Sequence, residues 1–588
     1  MPSIDRPPTE VGCPIPANTP HAVSVTLPSW KANVAYEEGQ DWVVSKMKSG
    51  YPRFFYHEKI RELFEIVEAK FGQPGEKSII FPSYKVACKC RDFILAKTTT
   101  VPTPNVRVVE VTVPPPSAEV QANVYVIFYT GSDAEAALAK AFWQHTGDGI
   151  SSRQAEYVGD RLKSAQTTKS EPKPVEVFKA AKTFKRYARR LGVLSPASVP
   201  SSEDESDGSR EFSTYVEERF GRNLDISFIK EAKIAIRRRI AGTMDDNLDL
   251  SQILASSPQL STRNIEGLGE DDVFLYPTGM SSIFNAHQLL LSCFEPRESI
   301  CFGFPYIDTL KILNKWGPGC FFYGNGEPED LVEIEKFLQA GNQILGFFCE
   351  FPSNPLLKSP NLKEIRRLAD KYDFLVVVDE TVGNFLNIHV LEYADIAVSS
   401  LTKVFSGDSN VMAGSLVLSP VSKYYNKLKT YLAEEYEDNF WAEDAIFLER
   451  NSRDVASRIH RINNNAEALS DLLSKQPKVK QVFYPKLSPT RSFYDQCKTE
   501  QGGYGGLISI VFHNPESSKA FFDAVGTAKG PSLGTNFTLL CPYTVLAHYT
   551  EQEWAAQYGV DAHLVRISVG LEPTEELVGT FAKALESC

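Results

Sequence analysis

"FLVVVDETVGNFLNIHVLEYADIAVSSLTKVFSG", residues 374–407, decides how the chain is read. Two short apolar runs rich in valine, 374–378 and 396–398, have the length and composition of buried strands. Each stops on polar groups: Asp379 after the first, and Ser399, Ser400, Thr402 and Lys403 after the second. With 62 lysines and arginines in the chain, an exposed helix face is the ordinary home for Lys403. Its neighbourhood argues for a pocket instead, because three hydroxyls flank the amine and Gly407 loosens the chain just beyond it.

Working outward, "DVFLYPTGMSSIFNAHQLLLSCF" (272–294) reads as strand, turn and helix. "QILGFFCEFPSNP" (343–355) is a buried strand ending in a polar loop, and "NLKEIRRLADKY" (361–372) is a helix. Strands alternating with helices imply βαβ units and a mainly parallel sheet. Ligands gather at the carboxyl ends of such strands, where these polar loops fall. Past residue 430 a long polar helical stretch (442–475) leads to strands near "GLISIVFH" (506–513) and "LVRISVGL" (564–571), a smaller C-terminal α/β domain.

The first two hundred residues have a different character. Residues 1–30 are proline-rich and read as an extended arm. "KSIIFPSY", "VRVVEVTV" and "VYVIFYTG" read as strands and "AEAALAKAFWQ" as a helix, giving a folded α/β segment with no catalytic motif. "VFKAAKTFKRYARRLGVL" (177–194) has a helical apolar stripe and a basic, solvated face. "SPASVPSSEDESDGS" (195–209) has no apolar periodicity and reads as a disordered linker. The layout is therefore an N-terminal extension (1–194), a linker (195–210), an arm of the catalytic region (211–270), a large domain (271–430) and a small domain (431–588).

A formal charge of −12 disfavours a partner with a phosphate backbone, so no nucleic acid is expected. No apolar run has the length of a membrane span, and the amino terminus lacks the apolar core of a signal peptide. The ten cysteines are scattered, with no zinc-site spacing and no metal expected, and read as reduced thiols in a cytoplasmic protein.

The polar strand ends suit an aldehyde cofactor that carries a phosphate. In "PTGMSS" (277–282) the N–H groups of Gly279 and Met280 stand at a helix N-terminus, a natural phosphate site. Asp379, otherwise a turn cap, gains a function beneath a pyridine ring. Two unit charges about 4 Å apart at an effective dielectric near 20 interact by about 4 kcal/mol, roughly three pKa units, enough to keep a ring nitrogen protonated. Lys403 would form the Schiff base. Tyr306 in "FGFPYIDT" is a core aromatic or a ring-stacking one, and Asn354 in "EFPSNP" a turn former or an amide donor to the cofactor. Arg566, at the centre of "LVRISVGLE", is costly to bury without an anion, which makes a substrate carboxylate a natural partner.

From about residue 211 onward the chain resembles the pyridoxal-phosphate (PLP) enzymes of cysteine and methionine metabolism. The resemblance lies in "TGM" 278–280, "PYIDT" 305–309, "FPSNP" 351–355, "VVDET" 377–381, "SSLTK" 399–403, "GGLIS" 505–509, "SLG" 532–534 and "RISVGLE" 566–572. Within that family it looks most like the fungal-type cystathionine γ-synthase branch, which carries a long N-terminal extension. The resemblance implies a fold-type I, aspartate aminotransferase-like transferase working as a homodimer or homotetramer with shared active sites. It implies Lys403 as cofactor lysine and proton shuttle, Asp379 at the ring nitrogen, Tyr306 on the ring and Asn354 at the phenolic oxygen. Gly279, Met280, Ser400 and Thr402 would hold the phosphate, helped by Arg219 from the neighbouring subunit, and Ser532 and Arg566 the α-carboxylate. The implied reaction is γ-replacement on an O-acylated homoserine by cysteine. Capture of sulfide or a carbon nucleophile, a β- or γ-lyase, and a regulatory or scaffold role are the alternatives.

Two departures from the family pattern stand out. Glu217 stands where a tyrosine is usual two residues before Arg219, and Thr535 and Asn536 replace the usual continuation of "SLG", changes expected to bear on the second substrate. Every motif lies beyond the linker, so residues 1–200 are expected to be dispensable for cofactor binding.

Overall fold

The structure, a computed structural model, describes residues 10–48, 55–100, 105–116, 120, 122–164, 228–244 and 250–588. The basic helix expected over 177–194, the linker, Glu217 and Arg219 lie outside the described residues.

The amino-terminal part contributes a short pair, β1 (Pro14–Ile15) and β2 (Ser24–Val25), then β3 (Glu76–Phe81), β4 (Val106–Val111) and β5 (Val124–Thr130). The large domain contains β6 (Val273–Tyr276), β7 (Ser299–Phe302), β8 (Cys320–Tyr323), β9 (Gly346–Glu350), β10 (Leu375–Asp379), β11 (Ile396–Ser400) and β12 (Gly414–Leu418). The small domain contains β13 (Val479–Phe483), β14 (Leu507–Phe512), β15 (Ala528–Lys529), β16 (Leu539–Pro542) and β17 (Val565–Ser568).

The large sheet runs β6-β12-β11-β10-β9-β7-β8. Its pairings are parallel except at β12, which is antiparallel to both β11 and β6. The valine run of β10 shows why the sequence is continuously apolar there. Val376 and Val378 pack towards helices Pro328–Gln339 and Leu362–Tyr372, while Val377 packs towards helix Gly279–Cys293 on the opposite face. Both faces are covered, so no alternation is needed. Each buried valine contributes about 1.5–3 kcal/mol, while the strand's end stays polar.

The small sheet runs β13-β14-β17-β16-β15 and is antiparallel apart from the β15–β16 pair. The helical stretch expected over 442–475 is divided into Ala442–Ser452 and Val455–Ser474. At the break, the Asn451 carbonyl accepts from Arg458 Nη2 at 2.8 Å, a side-chain partner for a backbone group.

The amino-terminal module is a three-stranded antiparallel sheet, β3-β5-β4, with helices Glu58–Phe71, Tyr84–Lys97, Asp133–Thr146 and Ser152–Ser164. It docks on the catalytic region through a buried ion pair, Arg153 Nη1 to Asp444 Oδ1 at 2.7 Å, with the Arg153 guanidinium 3.9 Å above the Phe447 ring. Phe93 stacks on Trp316 with centroids 5.4 Å apart. Of the first thirty residues, expected as an extended arm, the described part, 10–30, is packed onto the catalytic region. Val23 N donates to Ser409 O at 2.8 Å and Leu27 N to Lys529 O at 3.0 Å. The backbones approach so closely that a Cβ on Gly530 would stand 2.4 Å from the Val25 carbonyl oxygen.

Candidate active site

The carboxyl ends of β9, β10 and β11, the turn after β6 and the loop before β16 open into one cleft, continuous with solvent at its mouth. Lys403 lies one short turn past the end of β11 and is 7 % exposed. Its Nζ donates to Ser532 Oγ at 3.2 Å. The loop carrying Ser532 can come this near because residue 534 is glycine. Gly534 has φ +67°, and a Cβ there would stand 2.6 Å from Val404 N and 2.8 Å from Lys403 Cβ.

Asp379 ends β10 and faces the cleft. Burial pushes its carboxyl pKa up, while hydrogen bonding to Thr381, including Thr381 N to Oδ1 at 2.9 Å, pulls it down. A protonated ring nitrogen would give this buried carboxylate a cationic partner. Neighbouring it in register on β9 is Glu350, also buried. Glu350 Oε1 accepts from Tyr306 N at 2.5 Å and Oε2 from Asn354 N at 2.9 Å. Burial first, then the Asp379 charge, pushes its pKa up to about 8 against the pull of those two N–H groups. One carboxyl group thus ties down the two loops that bring Tyr306 and Asn354 to the cleft. The signal for it was available: "GFFCE" ends a buried strand on an acid just as "LVVVD" does.

Thr278 caps the helix Gly279–Cys293, its Oγ1 accepting from Ser281 N at 3.0 Å. That leaves the first N–H groups of the helix, on Gly279 and Met280, at the cleft. Ser400 lies against them, and a Cβ on Gly279 would stand 2.7 Å from Ser400 Oγ, so only glycine leaves this cradle open. The Thr402 hydroxyl donates to Ala413 O at 3.3 Å and accepts from Ala413 N at 3.1 Å, so it braces the turn beside the cradle.

Arg566, on β17, is 6 % exposed. Its Nη1 donates to Asn354 Oδ1 at 3.1 Å, and its Nη2 to Ser532 O at 3.1 Å and Pro531 O at 3.2 Å. Among the described residues it meets no carboxylate. A buried guanidinium with neutral partners beside a cleft is an anion site. The arrangement fits PLP: a buried acid for the ring nitrogen, a lysine for the aldehyde, a glycine-lined helix N-terminus for the phosphate and an arginine for an amino-acid carboxylate.

The structure brings Gly279, Met280, Tyr306, Asn354, Asp379, Ser400, Thr402, Lys403, Ser532 and Arg566 together at this cleft. Arg219 lies outside the described residues. Thr535 and Asn536 do not line the cleft. Thr535 Oγ1 donates to Phe537 O, and Asn536 joins Asp408 to Arg458, with Nδ2 to Asp408 Oδ1 at 2.7 Å and Arg458 Nη1 to Oδ1 at 2.9 Å. Asn536 ties the Ser532 loop to the segment after Lys403, while the Thr535 bond stays within the loop. The extension does not stand apart from the site either. His21, Phe55, His57 and residues of the 147–153 segment form one wall of the same cleft. No sequence motif marked them, because the contact joins parts of the chain more than a hundred residues apart.

Residues 263–586 match the model of the Cys/Met metabolism PLP-dependent enzymes, and residues 59–151 that of the fungal trans-sulfuration enzyme N-terminal domain. The chain is 46 % identical to a cystathionine gamma-synthase of Neurospora crassa, over 99 % of this chain and 98 % of that one. It is 41 % identical to the cystathionine gamma-synthase-like enzyme iboG2 of Amanita muscaria, over 98 % and 96 %. To a cystathionine gamma-synthase of Saccharomyces cerevisiae it is 40 % identical over 98 % of each. With a PLP-shaped set of groups at the carboxyl ends of a mainly parallel sheet, and with these matches spanning both modules, the chain belongs to the Cys/Met metabolism family of PLP-dependent enzymes.

Proposed function

We propose that this enzyme catalyses γ-replacement on an O-acyl-L-homoserine with L-cysteine as nucleophile, giving L-cystathionine and a carboxylic acid. The observation that carries the reading is Arg566, buried among neutral partners and linked to Lys403 through Ser532. It fixes an α-carboxylate so that Cα lies within reach of the lysine amine. Likeness to cystathionine gamma-synthases along the whole chain supports the choice of reaction.

Bound PLP would supply an aldehyde for the substrate amine and an electron-withdrawing ring for Cα. The chain does the rest. Asp379 holds the ring nitrogen protonated, and Tyr306 covers the ring. Asn354 gives its Oδ1 to Arg566, which directs its Nδ2 to an acceptor on the cofactor. Gly279, Met280 and Ser400 hold the phosphate. Lys403 Nζ takes a proton from Cα and then moves one at Cβ, and Ser532 Oγ keeps the amine on that side. The acyloxy group leaves Cγ with its electron pair, the cysteine sulfur bonds there as its thiol gives up its proton, and Lys403 returns protons to Cβ and Cα. Proton transfer by a placed amine contributes about 10²–10⁴-fold. The cleft continues past Lys403 to the wall of His21, Phe55 and His57, room that favours two amino acids over elimination from one.

The proposal extends to assembly and place. The enzyme acts in the cytoplasm as a homo-oligomer, with Arg219 reaching a neighbour's phosphate site. Ten free thiols suit a reducing compartment, and among the described residues no helix is long and apolar enough to cross a membrane. Mass spectrometry of products from O-acetyl- and O-succinyl-L-homoserine, each with cysteine, sulfide or neither, tests the reaction. Cystathionine as the main product supports it. 2-Oxobutanoate as the main product in the presence of cysteine would replace it with a lyase.

A further inference from the structure

The turn carrying Gly279 and Met280 is not shaped by the catalytic region alone. Gly147 ends the helix Asp133–Thr146 in the left-handed conformation, φ 66°, and its carbonyl accepts from Thr278 Oγ1 at 3.1 Å. The approach leaves no room for a side chain. A Cβ on Gly147 would stand 2.3 Å from Thr278 Oγ1, 2.7 Å from Met280 Cβ and 2.8 Å from Ser281 N. The next residue, Asp148, is buried and accepts at 3.3 Å from Nδ2 of Asn285, on the helix Gly279–Cys293. At its far end the segment is fixed by the Arg153–Asp444 pair. Between these anchors, Gly149 and Ser152 line the cleft shared with Ser400 and Lys403.

We propose that the 147–153 segment of the N-terminal module is part of the cofactor site. Gly147 sets where the N–H groups of Gly279 and Met280 stand, and through them the affinity for the phosphate of PLP. The inference rests on the reading of Gly279 and Met280 as the phosphate cradle. A helix N-terminus holds phosphate through a few N–H groups that must point at it, and such bonds weaken steeply once the donor is turned away. A side chain at 147 must displace either its own turn or that donor pair. The module is therefore required in cis for tight cofactor binding, against the expectation that residues 1–200 are dispensable.

The test uses the full-length protein stripped of cofactor and titrated with PLP or with pyridoxal, which lacks the phosphate. Dissociation constants come from the absorbance of bound cofactor. Wild type is expected to prefer PLP. Gly147→Val is expected to lose at least about tenfold in PLP affinity, the scale of backbone strain at such a site, while its pyridoxal affinity stays where it was. If that variant fails to fold by circular dichroism, Gly147→Ala, whose Cβ meets the same atoms, is measured the same way. Lys85→Ala, which breaks the exposed pair with Glu435 between the same two modules outside the cleft, is expected to keep wild-type PLP affinity. Unchanged PLP affinity in a folded Gly147 variant overturns the inference, and so does an equal loss for both ligands. A wild type that binds pyridoxal as tightly as PLP overturns the cradle reading and the inference with it. A preference for PLP that survives at residue 147 overturns the inference alone.

Discussion

Replacing Arg566 with alanine is expected to cripple use of the amino-acid substrate while leaving the cofactor in place. The guanidinium spends Nη1 on Asn354 and Nη2 on the carbonyls of residues 531 and 532, and keeps its charge uncompensated by any described carboxylate. Hydrogen bonds to a charged group contribute about 1.5–3 kcal/mol each, so a two-point contact with the α-carboxylate is worth about 3–6 kcal/mol. At about 1.4 kcal/mol per factor of ten, kcat/KM should fall by about 10²–10⁴-fold, mostly through KM. The protein-side acceptors left behind face an open cleft and regain water, which keeps the fold intact. The assay varies O-acetylhomoserine at saturating cysteine and reads PLP content per chain by absorbance. Arg566→Lys keeps the charge but not the planar fork, and should fall between wild type and alanine. A KM within threefold of wild type for the alanine variant would refute the carboxylate site. Loss of PLP with KM unchanged would refute it too, because Arg566 would then be holding Asn354 and the 531–532 loop for the cofactor alone.

Lys403→Ala should abolish turnover and the visible absorbance of bound cofactor while the circular dichroism spectrum stays that of wild type. Near-normal steady-state turnover would rule out the lysine. Glu350→Gln should reduce kcat/KM by about tenfold and weaken the Tyr306 and Asn354 loops, because the new NH₂ faces a backbone N–H that the carboxylate accepted. The Glu350 pKa is raised from 4.5 to about 8, so the folded apoprotein holds more protons than the unfolded chain between those values. Its stability therefore falls as pH rises from about 4.5 to about 8, and melting temperatures should show that slope lessened in Glu350→Gln. Mixed dimers of Lys403→Ala and Arg219→Ala chains should regain roughly a quarter of wild-type activity, since half of randomly paired dimers carry one intact shared site of two. Activity no greater than the sum of the parents, with mixed dimers confirmed by tags, would place Arg219 in its own subunit's site or outside any site.

Much of the catalytic region was legible in the sequence for a physical reason. In a parallel sheet covered on both faces the strands are continuous apolar runs, so Asp379, Asn354 and Lys403 announce themselves as the polar groups that end them. The same rule points to Glu350, which was missed because its loop drew attention to Asn354. The direction of β12 was not legible, because a buried apolar run looks the same in either sense. The role of Asn536 was not legible either, since its partners Asp408 and Arg458 come from distant parts of the chain. The amino-terminal module shows where sequence reading runs out. Its strands β3, β4 and β5 follow from β-branched runs, yet Gly147 looks like an ordinary helix-ending glycine. Only the fold puts it against Thr278, a contact between residues 131 positions apart.

The most direct test of the mechanism is the isotope pattern of the product made in deuterium oxide. O-acetylhomoserine and cysteine are incubated with the enzyme, and the cystathionine is examined by NMR. If Lys403 moves protons at Cα and Cβ before sulfur bonds to Cγ, the carbons derived from homoserine carry solvent deuterium at Cα and Cβ, and the carbons derived from cysteine carry none. Cystathionine with no deuterium at either homoserine-derived position would mean direct displacement at Cγ and would contradict the account.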